Sequence, residues 1–312
     1  MSAIERLGIG LAALGRPAYI NLGRADELPA DRTVAAMRAA TWEVLDAAYE
    51  AGIRWVDAAR SYGRAEEFLA GWLAGRGHRD VTVSSKWGYA YVGGWRTDAG
   101  VHEVKEHSPD RFRGQLAETR ELLGDHVKLY QVHSLTADSP LFEDIELQCA
   151  LAEAAAGGLP MGFSTTGPGQ ADTVRRALDI EVDGRRLFSA VQSTWNPLEP
   201  SVEPALRAAR DAGLHVLAKE ALANGRLAVD PPRPLARVAE RYGVGPDAVA
   251  VAAALDRPWA GTVLLGGVSV AQLRANLAAL EVSLDDADRA ELAALATPPA
   301  GYWSARTALP WS

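Results

Sequence analysis

The sequence predicts a single-domain parallel (β/α)8 barrel, the TIM-barrel architecture, with long loops at the carboxyl-terminal face of its strands. Short β-rich runs recur between longer helical patterns, and eight such runs can be counted. Four chemically active side chains, Asp57, Tyr62, Lys86 and His133, also stand at or just past the ends of three successive predicted strands. Strands alternating with helices argue for a parallel sheet, and eight alternations argue for its closure. In such a barrel every strand delivers its carboxyl end to one mouth, where loops from different strands build a common site.

In chain order the runs are GIGLAAL, IRWVDAA, VTVSSK, VKLYQVHS, MGFST, FSAVQST, HVLAKEA and TVLLGG. The first contains GIGLAA, which matches a dinucleotide fingerprint as text. No strand precedes it and Pro17 follows too soon for the required helix, so it reads as the first barrel strand. Between the runs, TVAAMRAATWEVLDAAYEAG, SPDRFRGQLAETRELLG, GPGQADTVRRALDI and PSVEPALRAARDAG carry helical periodicity. Several of these helical segments have Pro in the first turn, where its missing N–H costs nothing, and Gly after the last.

Two connections are long for βα loops: residues 15–33 after the first strand and 87–108 after the third. Long connections in compact domains are usually functional or disordered. Trp87, Tyr89, Tyr91 and Trp95 make the second an ordered binding loop, with Trp87 and Trp95 expected against a substrate. Residues 297–312, TPPAGYWSARTALPWS, read as a Pro- and aromatic-rich loop laid over the barrel surface, where it could wall a pocket.

A chain of 312 residues, 48% of them hydrophobic, can bury a large core as one domain spanning 1–312. The net charge of −8 comes from interspersed rather than segregated residues, which leaves no electrostatic footprint for nucleic acid or an anionic membrane. A small molecule is the expected partner, and nothing in the composition addresses oligomeric state. Cys149 is the only cysteine, so no intrachain disulfide can form; its apolar-periodic surroundings suggest a buried helical thiol and a reducing cytoplasm. The opening MSAIERLGIG lacks the basic region and long apolar core of a secretion signal, and no later stretch could span a bilayer. His102 and His107 in HEVKEH are five apart, a spacing that splays them on a helix, so no metal site is expected.

Taken singly, Asp57 could cap the helix beginning near Ala65, Tyr62 could be a loop residue, and His133 a hydrogen-bonded core histidine. Lys86 at the close of an apolar strand must be desolvated or paired. Together the four suit acid-assisted carbonyl reduction. Tyrosine, with an unperturbed pKa of about 10, is a reluctant acid. A neighbouring lysine ammonium lowers that barrier by stabilising the tyrosinate, and a carboxylate fixes the lysine. A histidine can orient the carbonyl oxygen. The hydride must come from a cofactor, because no side chain supplies one.

With these residues in place, nearly the whole chain resembles the aldo-keto reductase superfamily. GIRWVDAARSYGRAEEFLAGWL resembles its strand, loop and helix carrying the aspartate and the catalytic tyrosine. Lys86 of VTVSSKWG and His133 of LYQVH fall where the other two tetrad members fall. AVQSTWNPLEPS is similar to its glutamine and asparagine segment, and TVLLGGVSVAQLRANLAAL to its cofactor-clamping strand, loop and helix. The resemblance implies NADPH as cofactor, with NADH open because the loop GGVS lacks the basic residue that commonly binds a 2′-phosphate; Arg274 could compensate. It places Ser164, Thr165 and Gln192 near the nicotinamide carboxamide, and Leu222, Asn224 and Gly225 over the pyrophosphate. Gly266, Ser269, Gln272 and Asn276 would surround the adenosine end. Lys219 stands where the family often stacks an aromatic ring on the nicotinamide, and its charge could meet substrate or cofactor. Two other readings stay open: a Schiff-base lyase or aldolase using Lys86 or Lys219, and a cofactor-binding sensor subunit with negligible turnover.

Overall fold

The eight runs form the strands Leu7–Gly10 (β1), Trp55–Asp57 (β2), Thr82–Trp87 (β3), Val127–Leu135 (β4), Met161–Thr165 (β5), Ala190–Thr194 (β6), His215–Lys219 (β7) and Thr262–Leu265 (β8). In the computed structural model, which describes residues 2–311, they pair in parallel into a closed barrel in the order β1-β8-β7-β6-β5-β4-β3-β2. The seam closes through Leu7 opposite Val263 and Ile9 opposite Leu265. Strands such as β5 and β6 are buried along their whole length, as expected where helices cover the outer face and side chains fill the interior.

The helices begin where the sequence signals them. Val34–Glu50 (α1) is capped by Thr33, whose hydroxyl accepts from the Ala36 N–H at 3.2 Å. Ala65–Arg76 (α2) closes on the left-handed Gly77. Pro109–Leu123 (α3) has Ser108 as cap with Pro in its first turn, and Ile145–Ala156 (α4) is capped by Asp144. Gln170–Leu178 (α5) and Glu203–Asp211 (α6) follow β5 and β6. The short Arg226–Val229 (α7), Arg233–Tyr242 (α8) and Pro246–Leu255 (α9) separate β7 from β8, and Val270–Leu277 (α10), Asp286–Ala293 (α11) and Pro299–Thr307 (α12) come after. Among the described residues no helix is long and apolar enough to cross a membrane.

Alternation along the strands stacks the barrel interior in layers. Leu129, Ala190, Leu217 and Leu264, with Trp55 against them, make a small apolar cluster separate from the main core. Two residues further along β2, β4, β6 and β7 stand Asp57, Gln131, Gln192 and Lys219. The main core lies between the strands and the helices.

Three expectations are corrected. Cys149 is exposed: α4 buries Leu147, Gln148, Ala150 and Leu151, and Cys149 falls on the opposite face with Ile145. The HEVKEH segment is no helix, since Tyr89–Tyr91 and Glu103–Lys105 pair as an antiparallel ribbon. The 297–312 segment is largely helical, because Pro298 and Pro299 start α12 and its apolar face buries Tyr302 and Trp303.

Candidate active site

The charged floor of the mouth is built from adjacent strand ends. Lys86 of β3 is buried and spends its three N–H groups on the Asp57 carboxylate, the Ala58 carbonyl at 2.9 Å and the Tyr62 hydroxyl at 3.3 Å. Asp57 also accepts from Ser84 at 2.6 Å, Gln192 at 3.1 Å and Gln131 at 3.3 Å. A buried ion pair is tolerable only when its remaining valences are satisfied in this way.

Tyr62 sits on the turn between β2 and α2, pinned by the loop after β1. The Arg64 N–H donates to the Gly15 carbonyl at 2.7 Å. A side chain on residue 15 would place its Cβ 2.3 Å from the Tyr62 carbonyl oxygen, so only glycine fits there. His133, near the end of β4, turns its ring edge-on to Tyr62 with centroids 5.4 Å apart. Its Nδ1 lies 3.3 Å from the Ser61 hydroxyl. Behind it the His107 Nε2–H donates to the His133 carbonyl at 2.9 Å, while its Nδ1 accepts from Ser139 at 2.8 Å. Burial lowers His107 to about 4, so it holds this strand end as a neutral ring.

Burial pushes the Tyr62 phenol well above its ordinary value, and the Asp57 charge adds to that, while the Arg16 guanidinium opposes it. His133 is driven well below its ordinary value by burial and then by the charges of Lys86, Arg16 and Lys219. At neutral pH the mouth therefore presents a protonated phenol and an uncharged imidazole. The direction is opposite to the expected downward shift, because desolvation and the Asp57 charge outweigh the Arg16 guanidinium.

Above the floor lies a cavity of about 280 Å³ whose lining includes Asp57, Tyr62, His133, Ser164, Gln192, Lys219, Leu222, Asn224, Gly225 and Gly266. Tyr89 of the aromatic loop, and Arg306 and Trp311 of the tail expected to wall a pocket, also line it, together with Arg16, Tyr19 and Glu103, which sequence reasoning missed. Arg16 pairs with Glu103 at 2.6 Å and lies over the rings of Tyr19, Tyr62 and Trp311. Arg306 of α12 grips the Glu220 carboxylate with two nitrogens. The only signal for these residues was the length and aromatic content of their loops.

Other expected contacts lie elsewhere. Trp87 follows Lys86 in β3, so alternation turns it outward against Phe112 and His107; it is fully buried and off the cavity lining. Trp95 packs on Phe68, and its indole donates to the Arg32 carbonyl at 2.9 Å. Thr165 likewise points away from the cavity that Ser164 faces, its hydroxyl 2.7 Å from that of Ser193. Ser269 caps α10, Gln272 donates to the Gly23 carbonyl at 3.1 Å, and Asn276 donates to Asp247 at 2.7 Å. None of those three lines the cavity. Among the described residues no three His, Cys, Asp or Glu side chains are grouped to hold a metal ion.

The near end of a cofactor groove does fit the residues present. Gly225 is left-handed with φ 85°, and a Cβ there would meet the Leu22 carbonyl oxygen at 2.3 Å. The Leu22 N–H in turn donates to the Asn224 carbonyl at 2.9 Å, so the loops after β1 and β7 join beside the cavity. The Asn224 Oδ1 is buried without a hydrogen-bond partner among the described residues, and open space lies where a Gly266 side chain would stand. An extended ligand with hydrogen-bond donors would satisfy the former and occupy the latter.

Residues 6–297 match the family model described as aldo/keto reductase family. The chain belongs to the aldo/keto reductase family. It is 27% identical over 237 residues to an aldo-keto reductase, str7, of Strobilurus tenacellus; the match takes in 72% of this chain and 60% of that protein, so the chain spans less than two thirds of its relative's length. The fold is similar to that of the aldo-keto reductase AKR11C1 from Bacillus halodurans in its holo form, with a TM-score of 0.71 at 21% identity, covering 94% of this chain and 92% of the other. For this aldo/keto reductase, then, fold and family stand together, and the roles of individual residues rest on the geometry above.

Proposed function

We propose that the protein reduces an aldehyde or ketone to an alcohol with a nicotinamide cofactor, NADPH by family habit and NADH not excluded, and runs the reverse oxidation with the same groups. The observation that carries this reading is Lys86, locked onto Asp57 with its last N–H on the Tyr62 hydroxyl at 3.3 Å, beneath a cavity that Tyr62 and His133 both face. The bound cofactor supplies the hydride. Tyr62 gives its proton to the carbonyl oxygen as negative charge develops there, and the Lys86 ammonium stabilises the phenolate left behind. With Ser61 donating to Nδ1, the neutral His133 keeps its proton on Nε2 and orients the carbonyl oxygen by a hydrogen bond. Ser164 and Gln192, both on the cavity lining, would meet the carboxamide, and Leu222, Asn224, Gly225 and Gly266 the phosphate-bridged remainder.

The Schiff-base reading needs a neutral, free amine; Lys86 has all three donors engaged, which leaves Lys219 on the lining as the amine that borohydride trapping with a carbonyl substrate would mark. The test is titration of the purified protein with NADPH and with NADH, followed by tryptophan fluorescence, and then turnover on a panel of aldehydes and ketones beside Tyr62→Phe. Saturable binding with turnover that Tyr62→Phe abolishes supports the reading. Failure of both cofactors to bind at millimolar concentration removes it, and binding with no turnover on any carbonyl favours the sensor subunit.

A further inference from the structure

Three of the four cations at the mouth have a carboxylate of their own: Lys86 holds Asp57, Arg16 holds Glu103 at 2.6 Å, and Arg306 holds Glu220 at 2.6 Å. Lys219 does not. Its Nζ donates to the Thr194 hydroxyl at 2.8 Å and reaches Glu220 only at 3.5 Å, at a carboxylate already gripped by Arg306. The neighbouring His133 adds no negative charge, and Lys86 and Arg306 both repel the Lys219 ammonium. The cavity thus carries one positive charge more than its carboxylates neutralise, and Lys219 on its lining is the source.

A nicotinamide that gives hydride to a carbonyl held by Tyr62 and His133 has to enter this same cavity. Its reduced ring is uncharged and its oxidised ring is a cation. We infer that Lys219 makes the site discriminate between the two redox states, holding the reduced cofactor more tightly than the oxidised one and so favouring release of the spent form after each reduction. The inference rests on the function proposed above. In a partly desolvated cavity, repulsion between two cations a few ångströms apart is large enough to shift the affinity ratio by about tenfold or more. The excess charge is also titratable, because burial and the Arg306 and Lys86 charges bring Lys219 down to about 8 even though Glu220 opposes the shift.

The experiment is the ratio of dissociation constants for NADP+ and NADPH, read by tryptophan fluorescence at pH 7, in the wild-type protein, Lys219→Met and Lys219→Arg. The expected result is a ratio that falls about tenfold in Lys219→Met and is retained in Lys219→Arg. In the wild-type protein the ratio should also shrink between pH 7 and 9, as Lys219 loses its proton. An unchanged ratio in a Lys219→Met protein with wild-type circular dichroism overturns the inference, as does a ratio that Lys219→Arg also loses. If Lys219→Met fails to fold, Lys219→Gln takes its place, and an unchanged ratio in that variant overturns the idea. Failure of the wild-type protein to bind either form would instead remove the reductase reading, so the two failures are distinguishable.

Discussion

The same strands end in two unlike ways. Towards the bottom of the barrel, Leu129, Ala190, Leu217 and Leu264 pack with Trp55 into an apolar plug, while two residues onward Asp57, Gln131, Gln192 and Lys219 form a polar layer. The plug is held by contact area and tolerates small changes of shape at a graded cost. The mouth is held by a hydrogen-bond net in which each group satisfies another, so removing one orphans its neighbours. One strand direction and one alternation serve both, which means that chemistry here is a matter of depth in the barrel.

Substitutions should separate the two layers. Tyr62→Phe is expected to lower turnover by on the order of 10² to 10⁴ with little loss of stability or cofactor affinity, measured by steady-state kinetics and fluorescence titration. Lys86→Met leaves Asp57 buried without its cation and should cost about 3–5 kcal/mol in denaturant unfolding as well as abolishing turnover. Leu217→Ala in the plug should cost about 2–5 kcal/mol of stability while the folded fraction keeps its turnover number; loss of turnover at full folding would show that the layers are coupled. Glu220 offers a pH test. Burial raises its carboxyl, but Arg306 and Lys219 outweigh that and hold it well below its ordinary 4.5. The stability it contributes is fully present above pH 4.5 and lost as pH falls through the depressed folded value, so acid unfolding should be steeper in the wild-type protein than in Glu220→Gln. The smallest effect is expected at exposed Cys149, where Cys149→Ser should change stability by less than about 0.5 kcal/mol.

Asp57, Lys86 and His133 are legible in the sequence because a position at the end of an apolar run is a property of that run alone. Tyr62 is legible only together with them, since its place depends on a turn clamped by Gly15 from another loop. Alternation already forbids Ser164 and Thr165 from facing the same cavity, and it likewise turns Trp87 away once Lys86 faces in, so that part of the wall is encoded locally. The ion pair of Arg16 with Glu103 is not, nor are the individual contacts of Arg306 and Trp311, although the tail that carries them was expected to wall a pocket. These residues converge from the loop after β1, the ribbon after β3, and the end of α12 and the residues after it, and nothing local in those segments encodes their meeting. Ser269, Gln272 and Asn276, which the resemblance assigns to the adenosine end, have the residue types of ligand contacts, yet the structure spends their hydrogen bonds on a helix cap, on Gly23 and on Asp247.

The seam between β1 and β8 joins Leu7–Gly10 to Thr262–Leu265, strands separated by most of the chain, and Gly10, Leu264, Leu265 and Gly266 beside that seam also line the cavity. Contacts so distant in sequence are slow to form, because the intervening loop entropy must be lost before they are made. A folding intermediate with an open seam would therefore lack the pocket, and a ligand that binds only the closed form would draw the population towards complete folding by mass action. Refolding followed by recovery of cofactor binding would then time the closing of the ring itself, an event that helix content alone would pass over.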